Sequence, residues 1–213
     1  LTVSTEEKNI YLQQEPDLKP YIKRFVSASD FINNTNRYCF WLDGVNPTIL
    51  KNSKILQERL EKVRVFRSKS KQKQANESQY TPSLFTSIRQ PKSSYLLIPI
   101  VSSENRKYIP IGYVDKNIIV SNAAFTLENA NPFHFGVITS LMHMTWVKYT
   151  CGRLESRLRY SNTIVYNNYP WPKEISEKNK KLVEIKAQNI LDIRDEFPEN
   201  SLADLYDPLT MPP

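Results

Sequence analysis

Phe133, Val137, Ile138, Leu141, Met142 and Trp146 recur at helical spacing between Pro132 and Tyr149, and Gly152 follows. Proline suits the first turn of a helix and glycine its end, so residues 132–149 read as one buried helix that stops before Gly152. The next run, Arg153-Leu154-Glu155-Ser156-Arg157-Leu158-Arg159, alternates in the other period. As a strand it sets Arg153, Glu155, Arg157 and Arg159 on one face, with Leu154, Ser156 and Leu158 on the other. As a helix turn it would instead pair Glu155 with Arg159 at i, i+4. The alternation fits both, and a helix stop at Gly152 favours the strand. A buried helix that feeds directly into a strand confines the chain to a mixed architecture.

The remaining pattern agrees. Residues 1–36 read as a polar entry with short helices, the first over Asp17–Phe25 and a turn of another at Ser29–Ile32. Arg37–Leu42 is a strand by aromatic content, stopped by Asp43-Gly44. Pro47 opens a helix in which Ile49, Leu50, Ile55, Leu56, Leu60 and Val63 recur through about Phe66. The Lys-, Gln- and Ser-rich tract from Arg67 to Pro91 reads as an exposed loop. Tyr95–Val101, Tyr108–Val114 and Ile118–Val120 read as an antiparallel meander. Thr163–Tyr166 reads as a strand closed by Pro170-Trp171-Pro172, and Glu177–Phe197 as a charged amphipathic helix. The sum is an α+β fold, a mixed, mainly antiparallel sheet with packed helices. No internal repeat is visible.

The 213 residues suffice for one large domain or two small ones with a real core. A net charge of +7 points to a polyanion, DNA or RNA ahead of an anionic membrane. Cys39 and Cys151 lack metal or disulfide spacing and read as small buried hydrophobes of an intracellular protein. No apolar run reaches the roughly 20 residues of a membrane helix. The chain opens at Leu1 and closes on Met211-Pro212-Pro213, and both ends read as cut from a longer polypeptide. Glycine stands only at 44, 112, 136 and 152, which excludes a phosphate loop, a dinucleotide fingerprint and an adenosyl-methionine loop. HExxH, GxSxG and Asn-Pro-Pro are absent. Pro16-Asp17 and Glu184-x-Lys186 are pieces of a nuclease motif too far apart to act together. His134 and His143, nine residues apart, would sit about 180° apart on one helix and form no metal pair. His143, between Met142 and Met144, reads as a core histidine. No catalytic or metal-ligating residue is assigned.

Two stretches suit nucleic acid. Three guanidiniums and a carboxylate make a poor core, whereas Arg forks match guanine O6 and N7 and a carboxylate accepts from cytosine N4. Residues i and i+2 of a strand lie roughly 6.6 Å apart, about two base-pair steps. Arg59, Lys62, Arg64, Arg67, Lys69, Lys71 and Lys73 cluster with only Glu61 against them, which suits phosphate tracking or simply a solvated face. Ser121-Asn122-Ala123-Ala124 is small and polar. An Asn there can bond an adenine edge and an Ala leaves room for a thymine methyl, although alone the segment is merely a turn.

Several segments also resemble the MmeI-like (Type IIL) family of single-chain restriction–modification enzymes. They are Tyr95-Leu96-Leu97-Ile98-Pro99 with Val101-Ser102-Ser103-Glu104, Tyr108-Ile109-Pro110-Ile111-Gly112, Phe135-Gly136 with Met142-His143-Met144, Cys151-Gly152-Arg153-Leu154, Arg159-Tyr160-Ser161, Val165-Tyr166-Asn167-Asn168 with Tyr169-Pro170-Trp171-Pro172, and Leu205-Tyr206-Asp207-Pro208. The resemblance spans nearly the whole chain and is weakest around residues 68–90. It implies a DNA target recognition domain over 1–175 and the start of a C-terminal helical region over 176–213. It implies a parent with a nuclease, a helical connector and an adenine-N6 methyltransferase in the same polypeptide. That parent would use S-adenosyl-L-methionine and Mg, neither bound by this fragment, in the bacterial cytoplasm. The family's base-specifying positions match Glu155–Arg159 and Asn122-Ala123. Glu155 with Arg157 is then expected to read one base pair, C·G, and Arg159 with Asn122 and Ala123 a purine-containing position. Arg64, Arg67, Lys69, Lys71, Lys73, Arg153 and Ser161 are expected to hold the backbone of double-stranded DNA. Two rival readings remain: an RNA- or single-strand-binding module that stacks bases on its tyrosines, and a non-catalytic scaffold that docks the methyltransferase through the meander and helix 132–149.

Overall fold

A computed structural model of the chain describes residues 1–212. In chain order its strands are β1 (Thr2–Val3), β2 (Ile22–Val26), β3 (Arg37–Phe40), β4 (Tyr95–Pro99), β5 (Val101–Ser102), β6 (Gly112–Val114), β7 (Ile119–Val120), β8 (Ala124–Glu128), β9 (Gly152–Leu154) and β10 (Arg157–Arg159). Its helices are α1 (Thr5–Gln14), α2 (Ala28–Ile32), α3 (Pro47–Asn52), α4 (Lys54–Ser68), α5 (Lys73–Glu77), α6 (Pro132–Ile138), α7 (Leu141–Thr150), α8 (Glu177–Asp195) and α9 (Leu202–Leu205). The expected α+β class holds, with helices packed on small, mainly antiparallel sheets. Among the described residues no helix is long and apolar enough to cross a membrane.

The chain divides into two compact units. The first comprises Leu1–Val26, Asn36–Gln90 and Asn117–Val120. Its sheet runs β1-β3-β2-β7, antiparallel except for the parallel pair of β2 with β7. Val3, Leu18, Phe40, Leu42 and Leu56 form its core, and Cys39 is fully buried as a small hydrophobe. The helix expected over Asp17–Phe25 is instead a 3-10 turn, Pro16–Tyr21, followed by β2. Pro20 lacks the N–H that an α-helix needs there, and Ile22, Phe25 and Val26 favour a strand. The helix expected from Pro47 to Phe66 breaks at Ser53, whose hydroxyl accepts from the Leu56 N–H at 3.0 Å and caps α4. The basic tract is more ordered than expected. It holds α5, and Arg67 ties it down by donating to the carbonyls of Ser78, Thr81 and Leu84 at 3.0, 3.1 and 2.7 Å.

The second unit comprises Ser27–Thr35, Pro91–Lys116 and the chain from Ser121 onward. One sheet, β6-β4-β8, is antiparallel; the other runs β5-β10-β9. The expected meander is thus corrected in its third strand. Ile119–Val120 pairs in the first unit, and Ala124–Glu128, beyond the expected turn, pairs with β4. Leu96, Ile98, Ile111, Phe135, Ile138, Val147, Leu158 and Val165 pack together in the core. The meander and the helical segment therefore spend their apolar faces on each other, which leaves the scaffold reading only Leu141, Met142 and Tyr149 as large exposed apolar side chains of 132–149. That segment is two helices, because the Ser140 hydroxyl accepts from the His143 N–H at 3.1 Å and starts α7 afresh. Thr163–Tyr166 is no strand. Asn162–Tyr166 forms a π-helical turn, with the Ser161 hydroxyl accepting from the Ile164 N–H at 3.2 Å.

Candidate nucleic-acid interface

The run Arg153–Arg159 folds as a two-residue hairpin rather than one strand. β9 pairs with β10 in the register Arg153↔Leu158 and Leu154↔Arg157, and Gly152 faces Arg159. Glu155 opens the turn with φ 57°, a left-handed backbone rarely adopted by a residue with a side chain. Directly paired residues share a sheet face. Arg157 and Arg159 therefore project together beside Leu154 and Gly152, whereas Arg153 lies on the face of the buried Leu158. The single face of four charged residues is corrected to a pair of exposed guanidiniums with a carboxylate at the tip. Glu155 Oε2 accepts from Arg157 Nη2 at 2.8 Å, with the two side chains 78% and 45% exposed. Exposed pairs of this kind contribute about 0–1 kcal/mol, so releasing either group to another partner costs little.

A backbone bridge joins this hairpin to the second expected segment. Ile100 stands between β4 and β5. Its N–H donates to the Ala123 carbonyl at 3.5 Å and its carbonyl accepts from the Tyr160 N–H at 2.8 Å. The exposed turn Asn122-Ala123 is thereby held beside the end of β10, although 34 residues separate Ala123 from Arg157. Ala123 and Arg157 also line one groove of about 410 Å³, with Ser29, Ile32, Ser102 and Arg106 among the other walls. The sequence had offered no reason to single out Ser29 or Arg106. Glu104 lies at the hairpin turn. A hydrogen bond with Ser156 is the main cause that holds its carboxyl below the usual range; its own backbone and the charges of Arg157 and Arg153 add to this.

The expected backbone contacts fare differently. Lys69, Lys71 and Lys73 are exposed, Lys73 lying 3.9 Å from Glu77. Arg64 is exposed but forked onto Glu61, with Nε and Nη2 donating at 2.8 and 2.6 Å. Arg67 departs from the expectation: it is 9% exposed and its donors are committed to loop carbonyls. Arg153 makes two long bonds of 3.4 Å, to the carbonyls of Ser156 and Lys148, and stays exposed. Ser161 spends its hydroxyl on Thr163 and the Ile164 N–H. His143 is a core residue, as read from its neighbours, with Nε2 3.0 Å from the Tyr160 hydroxyl. Among the described residues no three His, Cys, Asp or Glu side chains cluster closely enough to hold a metal ion.

Comparison with known proteins gives the family and the fold. The family described as MmeI, target recognition domain, matches residues 1–173, and that described as MmeI, C-terminal domain, matches 175–213. The chain is 38% identical over 212 residues to DNA methyltransferase A of Bacillus subtilis (strain 168), covering 100% of this chain and 23% of that protein. It is 46% identical to a solved structure of the Type IIL restriction-modification enzyme MmeI in complex with DNA, with a TM-score of 0.96, covering 99% of this chain and 28% of that one. The chain thus spans about a quarter of the length of these relatives. An α+β fold in which one backbone bridge holds an exposed arginine hairpin beside a polar turn, matched by the family over 173 residues, makes this chain a member of the MmeI target recognition domain family, continuing into that family's C-terminal domain.

Proposed function

We propose that this chain reads the sequence of duplex DNA for a restriction–modification enzyme, through the β9–β10 hairpin and the Asn122-Ala123 turn. The observation that carries the reading is the Ile100 bridge, which gathers the two exposed segments whose side chains match base edges. Glu155 and Arg157 act as a unit on a C·G pair, the carboxylate accepting from cytosine N4 and the guanidinium donating to guanine. Arg159 reads a neighbouring purine-containing position with Asn122 and Ala123. Lys69, Lys71 and Lys73, with Arg64 released from Glu61 and with Arg153, hold phosphates. Arg67 orders the loop that carries the lysines, and Ser161 caps the turn after β10. Membership of the MmeI family and the DNA complex known for MmeI support the reading.

The longer polypeptide is expected to supply the adenine-N6 methyltransferase and the nuclease, and with them S-adenosyl-L-methionine and Mg, in a bacterial cytoplasm. One recognition surface would then serve both activities. Selection of the chain on a randomised duplex pool, followed by sequencing of the bound fraction, tests the readout. The double variant E155K/R157D is expected to enrich a different base pair at one position of the selected site. A variant that keeps the parental preference and only binds more weakly would remove both residues from readout.

A further inference from the structure

We propose that the groove between α2 and β5 is a seat for one phosphodiester of the DNA backbone, held by Arg106 and Ser102. The inference rests on the reading that this chain binds duplex DNA. Ser102 is 3% exposed, yet its hydroxyl has no hydrogen-bond partner, and Nε of Arg106 is buried without one as well. Buried polar groups are ordinarily satisfied, and these two unpartnered donors belong to residues that line one groove. Ser29 adds a donor to the same wall. Ser29 Oγ accepts from Asn33 Nδ2 at 3.2 Å, which leaves its proton free to donate. No carboxylate is among the lining residues, and Arg157, which also lines the groove, keeps its bond to Glu155 and its assignment to guanine. A phosphate presents acceptors alone and matches these donors; a guanine edge does too, and the two are told apart by whether loss of Arg106 changes the salt slope or the selected sequence.

The position fits a backbone contact that sets register. Arg157 and Ala123, assigned above to base readout, line the same groove, so a phosphate held by Arg106 would flank the bases they read. Ser102 is itself fixed opposite Leu158 in the β5–β10 pair, which ties the seat rigidly to the reading strand.

R106Q is expected to weaken binding to the selected duplex and to an unrelated duplex by the same factor, about tenfold. It is also expected to lower the slope of log affinity against log salt by about one and leave the selected sequence unchanged. R106K, which keeps the charge, recovers that slope. Neutral methylphosphonate linkages placed one at a time along the duplex supply a test from the DNA side. The parent should lose affinity at one linkage to which R106Q is indifferent and S102A less sensitive. A selected sequence altered at one position would make Arg106 a base reader and overturn the seat. So would a parental salt slope in R106Q, a failure of R106K to restore it, or equal linkage profiles for parent and R106Q. If the parent selects no sequence while R106Q still lowers the slope, base readout falls and the phosphate seat stands. If the parent selects a sequence and R106Q matches it in slope and profile, the seat falls and readout stands.

Discussion

His143 shows how one side chain couples the core of the second unit to acidity. It is 1% exposed, its Nε2 lies 3.0 Å from the Tyr160 hydroxyl, and its Nδ1 has no partner. Burial lowers its pKa from 6.5 to about 4, because the imidazolium would be charged away from water. Between those two values the unfolded histidine binds a proton that the folded one refuses, so stability falls as pH drops through the window. The full loss is about 3 kcal/mol, since each tenfold change in proton affinity is worth about 1.4 kcal/mol. Urea unfolding of the parent and of H143L between pH 7 and pH 4.5 should show an acid slope in the parent that is reduced in the variant. Equal slopes would mean that His143 protonates in place. The core role of His143 was legible because methionines flank it on both sides. The loss of Arg67 from the phosphate contacts was not, since its partners are backbone carbonyls 11 to 17 residues away, which carry no residue-type signal.

At the scale of elements, α6 and α8 approach closely at Gly136. A Cβ added at Gly136 would meet Val183 Cγ1 at 2.7 Å, with the Ala187 Cβ and the Val183 carbonyl oxygen both at 3.2 Å. The side-chain methyl can rotate away, but the carbonyl cannot. G136A is therefore expected to push the helices apart and cost about 1–3 kcal/mol, as overpacking does. A lowered urea midpoint at unchanged m-value checks this, and an unchanged midpoint would show that the helices have room for a methyl. Those two helices were legible from apolar periodicity, whereas the breaks at Ser53 and Ser140 were not. In both places the apolar pattern runs on through the cap, so the period alone cannot register the change of axis. The hairpin escaped for a related reason. Its turn residues Glu155 and Ser156 replace the Asn-Gly type of signal, and the alternation passes through them as through a continuous strand.

The whole molecule divides the proposed work between its two units. Neither unit is a continuous stretch, for the chain passes between them at 26–27, 35–36, 90–91, 116–117 and 120–121. No composition shift marks those crossings, so a length that suffices for one large domain or two small ones could not reveal the division. The expected base readers all lie in the second unit and the lysine cluster in the first. If the lysines act only on phosphates, charge and sequence preference must be separable. K69Q/K71Q/K73Q takes the formal net charge from +7 to +4 by removing three positive charges. Each lost phosphate contact should lower the slope of log affinity against log salt by about 0.9, so the triple variant should lose close to three if every lysine engages. Lys73 lies 3.9 Å from Glu77, but both are well exposed, so that pair scarcely competes with a phosphate. The site enriched from a randomised pool should remain that of the parent, with affinity lowered equally for all sequences. An unchanged slope would make the lysines a solvated face, and a changed site would bring the first unit into base readout.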